Sequence, residues 1–343
     1  MTLRNMVGRC APAVAAAMGL LAMSCATAPP RAEIAGSPCA APPRLNCPEA
    51  NCPNDGRTVL GSATESKSGR KYWLDFPCDL KPGEDVTLVL NLHGAGSIGN
   101  WQRHYFPAVD HTSKYRLVVA TPTALTDQPT RRWAAEADDD YLHSLTDALI
   151  TDLGKENIKA FWLVGHSQGG LTSRRIVCSD YFRDKVDGFV SLSGGRVGTP
   201  PRPPAAPAPG AAPAPAAAPP PPLDCDFSHI FAIGELEASS ATATDASEWA
   251  AKYDCGPRKR RADVVDVKAG YVTATDQSRG PAWGRFARPG TAQVYVFDGC
   301  KNGRVVADVV RMDKGHTEGL EPNITQDVIE LMRSAKGGKL RGK

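Results

Sequence analysis

Metal ligands are the first thing this sequence lacks. None of its 10 cysteines pairs at C-x-x-C spacing and no histidine stands in register beside them, so a zinc-type site has nothing to build on. A surplus of one charge is lacking too. Lys and Arg number 40 against 37 Asp and Glu, a net charge of +3, too near neutral to argue for nucleic acid or for strong steering of an acidic substrate. The basic run Arg258-Lys259-Arg260-Arg261 reads as a short solvated loop. No propeller or repeat domain of the kind that gates peptides is present. The apolar run Ala11 to Met23 is too short to serve as a stable bilayer anchor.

What is there points to export. Arg4 and Arg9 make a positive start, Ala11 to Met23 an apolar centre, and residues 1–24 are expected to be a signal peptide. Ala22-Met23-Ser24-Cys25 resembles a bacterial lipoprotein box, which would make Cys25 the lipidated first residue and a point of membrane attachment. Ordinary cleavage after Ala26 or Ala28 is the competing reading, with Pro29 against the second site. The expected location is the cell envelope, as a lipoprotein, or the medium. With Cys10 removed and Cys25 lipidated, Cys39, Cys47, Cys52, Cys78, Cys178, Cys225, Cys255 and Cys300 remain. An even number in an exported chain implies four disulfides, whose pairing the count does not fix.

The chain of 343 residues, 42% apolar, has room for one large α/β domain or two smaller ones. Its organising stretch is Ala160-Phe161-Trp162-Leu163-Val164-Gly165-His166-Ser167-Gln168-Gly169-Gly170. An apolar, strand-like run stops at a G-x-S-x-G pattern, and a helix-compatible segment follows. A serine hydroxyl is a weak nucleophile unless a base takes its proton, so it must project where a histidine can reach. A tight turn projects it, and such a turn needs Gly165 and Gly169, which carry no bulk. The helix start beyond offers N–H donors for an oxyanion, Gln168 first among them.

Other elements alternate around this stretch. Strands are expected at Lys71–Phe76, Val86–Leu92, Arg116–Ala120, Val186–Leu192, His229–Gly234, Gln293–Phe297 and Arg304–Met312. Helices are expected from Asp138 to Leu153, from the serine to about Ser179, from Ala243 to Tyr253 and from Ile324 to Met332. The three acids Asp138-Asp139-Asp140 suit a helix start rather than a cation. The alternation predicts a mostly parallel central sheet with helices on both faces. Around this domain, residues 70–336, lie a Cys/Pro-rich tether at 25–69 without strand periodicity and a basic tail at 337–343, expected to be frayed. A Pro/Ala-rich insertion at 197–223 interrupts the domain, flanked by Cys178 and Cys225, which a bridge could join.

Among seven histidines, His316 in Asp313-Lys314-Gly315-His316 follows the final strand and precedes the last helix, where a base belongs in the chain order nucleophile, acid, histidine. His93, in the glycine-rich His93-Gly94-Ala95-Gly96, fits an oxyanion loop better, and His166 points away from any base position. The acid is expected after Phe231-Ala232-Ile233-Gly234, at Glu235 or Glu237. Asp245 and Asp276 stand farther from a strand end.

These motifs resemble the α/β-hydrolase superfamily and, more narrowly, the secreted esterase group that includes polyhydroxybutyrate depolymerases and feruloyl esterases. The shared features are a strand running into His93-Gly94, Trp133 ahead of the Asp138-Asp139-Asp140 helix start, the Ser167 turn, and a GH loop before the last helix. The resemblance covers roughly residues 70 to 335. It implies an α/β-hydrolase fold and a triad of Ser167, His316 and Glu237, with Glu235 as reserve. Gln168 and Ala95 would donate to the oxyanion, and Cys255 would pair with Cys300. It also implies hydrolysis of carboxylic esters of feruloyl, acetyl or short polyester type through an acyl-enzyme, with no metal or organic cofactor. Glutamate in place of the group's usual aspartate, the Pro/Ala insertion and the Cys-rich N-terminal segment depart from its pattern. Competing expectations are a serine peptidase of the same fold and a non-catalytic binding protein of the cell envelope. No nucleic acid is expected as partner.

Overall fold

The computed structural model describes residues 32–39, 61–125, 130–198, 223–238, 246–272 and 277–342. The expected signal peptide, Cys25, Cys47, Cys52, Asp245, Asp276 and residues 199–222 of the Pro/Ala insertion lie outside them. The described residues belong to the unit Arg31–Lys343.

In chain order they form β1 (Glu33–Ile34), β2 (Ser37–Pro38), β3 (Ala63–Thr64), β4 (Lys71–Asp75) and β5 (Val86–Leu92). Next come α1 (Gly99–Tyr105), α2 (Thr112–Tyr115), β6 (Leu117–Pro122), α3 (Ala135–Leu153), β7 (Ile158–His166) and α4 (Gln168–Ile176). After these run β8 (Gly188–Leu192), β9 (Ser228–Gly234), α5 (Glu248–Lys252), β10 (Arg258–Arg260) and β11 (Val264–Val265). The chain closes with β12 (Thr291–Phe297), β13 (Val306–Arg311) and α6 (Pro322–Ser334).

One large sheet carries the order β10-β12-β13-β9-β8-β7-β5-β6-β4-β3, with β11 also on β12. Six neighbours, β13 to β6, are parallel, and antiparallel strands finish both ends. The continuous apolar runs of β5 and β7 follow from burial on both faces. Along β7, Phe161 and Leu163 pack with Leu142, Leu145 and Leu149 of α3. Trp162 and Val164 point the other way, towards Ile324, Val328 and Met332 of α6. The period-2 pleat thus divides one strand between two cores.

Helix ends are closed by distant side chains. Asp138 accepts the Ala134 N–H and also binds Arg70, anchoring α3, which stops where Gly154 takes φ 76°. At α6, which opens on Pro322, the Asp266 carboxylate accepts the N–H groups of Asn323 and Ile324.

Several expectations change. The sheet begins at Ala63, ahead of residue 70. Within the expected tether, Glu33–Ile34 and Ser37–Pro38 form a hairpin, which Cys39 fastens to Cys78. The helix after the serine ends at Ile176, short of Ser179, and only Glu248–Lys252 of the expected Ala243–Tyr253 helix is helical among the described residues. The basic run is largely solvated, as expected, but forms a sheet-edge strand rather than a loop, and acids neutralise it: Arg258 pairs with Asp308, Lys259 with Asp298, Arg260 with Asp263 and Arg261 with Asp327. The tail docks through residue 342 instead of fraying. Lys339 donates its backbone N–H to Asp187 and its ammonium to the Arg183 carbonyl, and Arg341 binds Asp85, so these two charges are satisfied against the body. Cys178–Cys225 and Cys255–Cys300 are both bonded.

Glu65 fastens the first sheet turn to α3. Its carboxylate accepts the N–H groups of Lys67 and Ser68 and the hydroxyls of Ser68 and Ser144. Burial alone would raise its pKa, but these donors outweigh it and bring the group down to about 2. A carboxylate held below its unfolded value stabilises the fold above that value and loses the contribution as pH falls towards the folded one. Glu65→Gln should therefore cost about 1–3 kcal/mol near neutrality in urea denaturation. The difference from wild type should shrink below pH ~4.5 and approach zero near pH ~2.

Candidate active site

The parallel strands end along one sheet edge, and the expected site residues all lie there. Ser167 sits between β7 and α4 with φ 51° and ψ −118°, a conformation that L-residues avoid. Its N–H is held by the Leu192 carbonyl of β8 at 2.8 Å. A Cβ at Gly165 would fall 2.3 Å from the Gly169 carbonyl, and one at Gly169 would fall 2.2 Å from the Leu92 carbonyl of β5. The elbow packs backbone on backbone.

The residues expected as base and acid come from loops beyond β13 and β9. His316 Nε2 lies 2.8 Å from Ser167 Oγ, and His316 Nδ1 lies 2.6 Å from Glu237 Oε2. A carboxylate can only accept, so Nδ1 carries the hydrogen and Nε2 presents its lone pair to the serine hydroxyl. The second oxygen of Glu237 accepts the Ser193 hydroxyl and, at 3.0 Å, the Gly234 N–H. Glu235 is exposed and turned elsewhere, accepting the Asp313 N–H at 2.8 Å, so it fixes the base loop without touching the imidazole.

The loop His93–Gly96 abuts the serine: a Cβ at Gly94 would lie 3.2 Å from Ser167 Cβ. Ala95 is exposed at its tip, and Gln168 opens α4, where first-turn N–H groups have no intrahelical partner. The Gln168 amide accepts the Trp133 N–H and donates to the Trp133 carbonyl. Trp133 Nε1–H in turn donates to the His93 carbonyl. His93 is fully buried, which pushes its pKa down to about 4. It accepts the Ala124 N–H at Nε2 and donates from Nδ1 to the Gly94 carbonyl, a neutral cross-link.

Four residues to which the sequence assigned no such role tie the expected base in place. His166 is buried, and desolvation followed by the nearby His316 holds its pKa well below the ordinary histidine value. Neutral, it donates from Nε2 to the His316 carbonyl at 2.9 Å, and the Tyr105 hydroxyl donates to the same oxygen at 3.1 Å. Trp283 stacks on the His316 ring with centroids 5.1 Å apart, and its carbonyl accepts the Thr317 N–H. Ser193 is the fourth, fixed by φ 53° just beyond β8. None of the four carries a sequence signal for this role. Among the described residues, no three His, Cys, Asp or Glu side chains converge as a metal site.

Set against known families, residues 88–327 match the model described as the alpha/beta hydrolase family. The chain belongs to this family. No curated protein matches the hydrolase. Among solved structures it is similar to an acetyl xylan esterase from Aspergillus awamori, at 10% identity and TM-score 0.46, covering 79% of this chain and 96% of that one. A substrate-bound fluorophosphonate-binding serine hydrolase of Staphylococcus aureus aligns at 19% identity and TM-score 0.27, over 37% of this chain and 55% of its own.

The elbow is the part of the site least open to change. Gly169→Ala would drive a methyl into the Leu92 carbonyl, which belongs to a central strand and cannot withdraw. The expected outcome is a fall in Tm of about 5 °C or more, or no soluble protein, measured by differential scanning calorimetry beside wild type.

Proposed function

We propose that this hydrolase is an exported serine esterase that cleaves carboxylic esters of acetyl, feruloyl or short polyester type. The observation that carries the reading is the unbroken chain Glu237–His316–Ser167, with each hydrogen bond in the direction that base catalysis requires. Ser167 Oγ attacks the ester carbonyl as His316 Nε2 takes its proton. Glu237 holds the tautomer and stabilises the imidazolium that forms. The carbonyl oxygen, now negative, is received by the N–H groups of Gln168 and Ala95, each worth about 3 kcal/mol to the transition state. Collapse expels the alcohol, which takes the proton back from His316. Water then repeats the sequence on the acyl-enzyme, returning the acid and free Ser167. Attachment through lipidated Cys25 is part of the proposal, and the bonded pairs Cys39–Cys78, Cys178–Cys225 and Cys255–Cys300 accord with an oxidising compartment.

Labelling with a fluorophosphonate probe, run beside hydrolysis of short aryl esters, tests this directly. Wild type should label and turn over, and Ser167→Ala should do neither. Glu237→Gln should lower kcat by roughly 10³- to 10⁴-fold through loss of the tautomer, whereas Glu235→Gln should cost less than about tenfold. A folded wild type that neither labels nor hydrolyses would make a non-catalytic binding protein the better reading. Equal losses in the two glutamate variants would refute the acid assignment.

A further inference from the structure

On the esterase reading, we propose that the substrate bears a carboxylate within a few bonds of its ester and that Arg279 receives it. The guanidinium carbon of Arg279 lies 3.2 Å from the centroid of the Trp283 ring, and that ring stacks on the His316 imidazole at 5.1 Å. The arginine therefore lies no farther from the base than those two spans end to end. The platform is fastened, since the Ala282 carbonyl accepts the His316 N–H and the Trp283 carbonyl accepts the Thr317 N–H.

A guanidinium resting on an indole face keeps its N–H donors in its own plane, free to form a fork with a carboxylate. Stacking also restrains a long side chain that would otherwise lose rotamer freedom on binding. Arg279 is exposed, and among the described residues its guanidinium meets no carboxylate. Other cations of this rim are engaged: Arg288 pairs with Asp313 and Glu318, Arg285 with Asp313, and Lys314 with Glu321. Arg132 is also exposed, in a stretch where the Arg131 carbonyl accepts the Gly96 N–H and Trp133 is held by Gln168. Glu235 is the opposing charge at this rim, and it faces the Asp313 N–H.

The carboxylate can sit on the acyl or the alcohol side of the ester, and paired substrates separate the two. Mono-para-nitrophenyl glutarate is compared with para-nitrophenyl valerate, and para-acetoxybenzoate with its methyl ester. At least one anionic ester should exceed its neutral partner roughly tenfold in kcat/KM, with the gain in KM. Arg279→Gln should bring that ratio close to one and Arg279→Lys should leave it intermediate. Lys159→Gln, which removes the same charge at the opposite end of β7, should preserve it. The inference is overturned by a ratio near one in both wild-type pairs, by a preference that survives Arg279→Gln, or by an equal loss in Lys159→Gln. Turnover of none of the four esters by folded wild type would instead defeat the esterase reading, and this inference with it.

Discussion

The backbone of residue 167 is the constraint on which the rest depends. A serine at φ 51° and ψ −118° is held against its own preference, and it stays there because surrounding backbone leaves no alternative. Gly165, Gly169, Gly170 and Gly194 let β7, α4 and the β8 exit approach within distances that any Cβ would violate. The strain has a use. It sets Ser167 beside the first N–H groups of α4, so on the proposed mechanism nucleophile and donor are set by one turn. The central sheet, buried on both faces, keeps that turn from relaxing.

Histidine serves two opposite purposes in this fold. His93 and His229 are buried, uncharged and used as two-ended linkers, each accepting a backbone N–H at Nε2 and donating from Nδ1 to a carbonyl. Burial that pushes their pKa values to about 4 and about 3 is what makes them dependable as neutral struts. His166 does the same work for the His316 loop, although its Nδ1 has no hydrogen-bond partner among the described residues. His316 differs in being partly open, with a carboxylate at one nitrogen and a hydroxyl at the other. Partners, more than position in the chain, separate the proposed base from a strut.

That distinction marks how far the sequence could be read. The parallel sheet, the elbow and the loop of His316 were legible because each rests on local pattern: unbroken apolar runs, glycine spacing and a histidine after the last strand. Glu237 against Glu235 was not legible from the residues alone, since the choice turns on side-chain direction in a loop, and only the resemblance favoured Glu237. The roles of Ser193, Tyr105 and His166 were hidden for the same reason, each acting across more than 40 residues of chain. The basic edge strand and docked tail were misread because composition counts charges without showing their partners. Asp308, which draws in Arg258, lies 50 residues away from it.

Partnering also explains why a chain so close to neutral can hold a selective charge. Several of its buried carboxylates close on cations: Asp75 on Arg103, Asp138 on Arg70, Asp308 on Arg196 and Arg258, Glu321 on Arg311 and Lys314. Each pair meets the cost of burying a charge by closing on its opposite, and none contributes much field outside. With so many arginines committed to internal pairs, a cation at the site mouth acts against a nearly silent background. A substrate would then sense the few guanidiniums left open by the fold rather than the net charge of the chain, and selectivity for charge can sit in one stacked side chain.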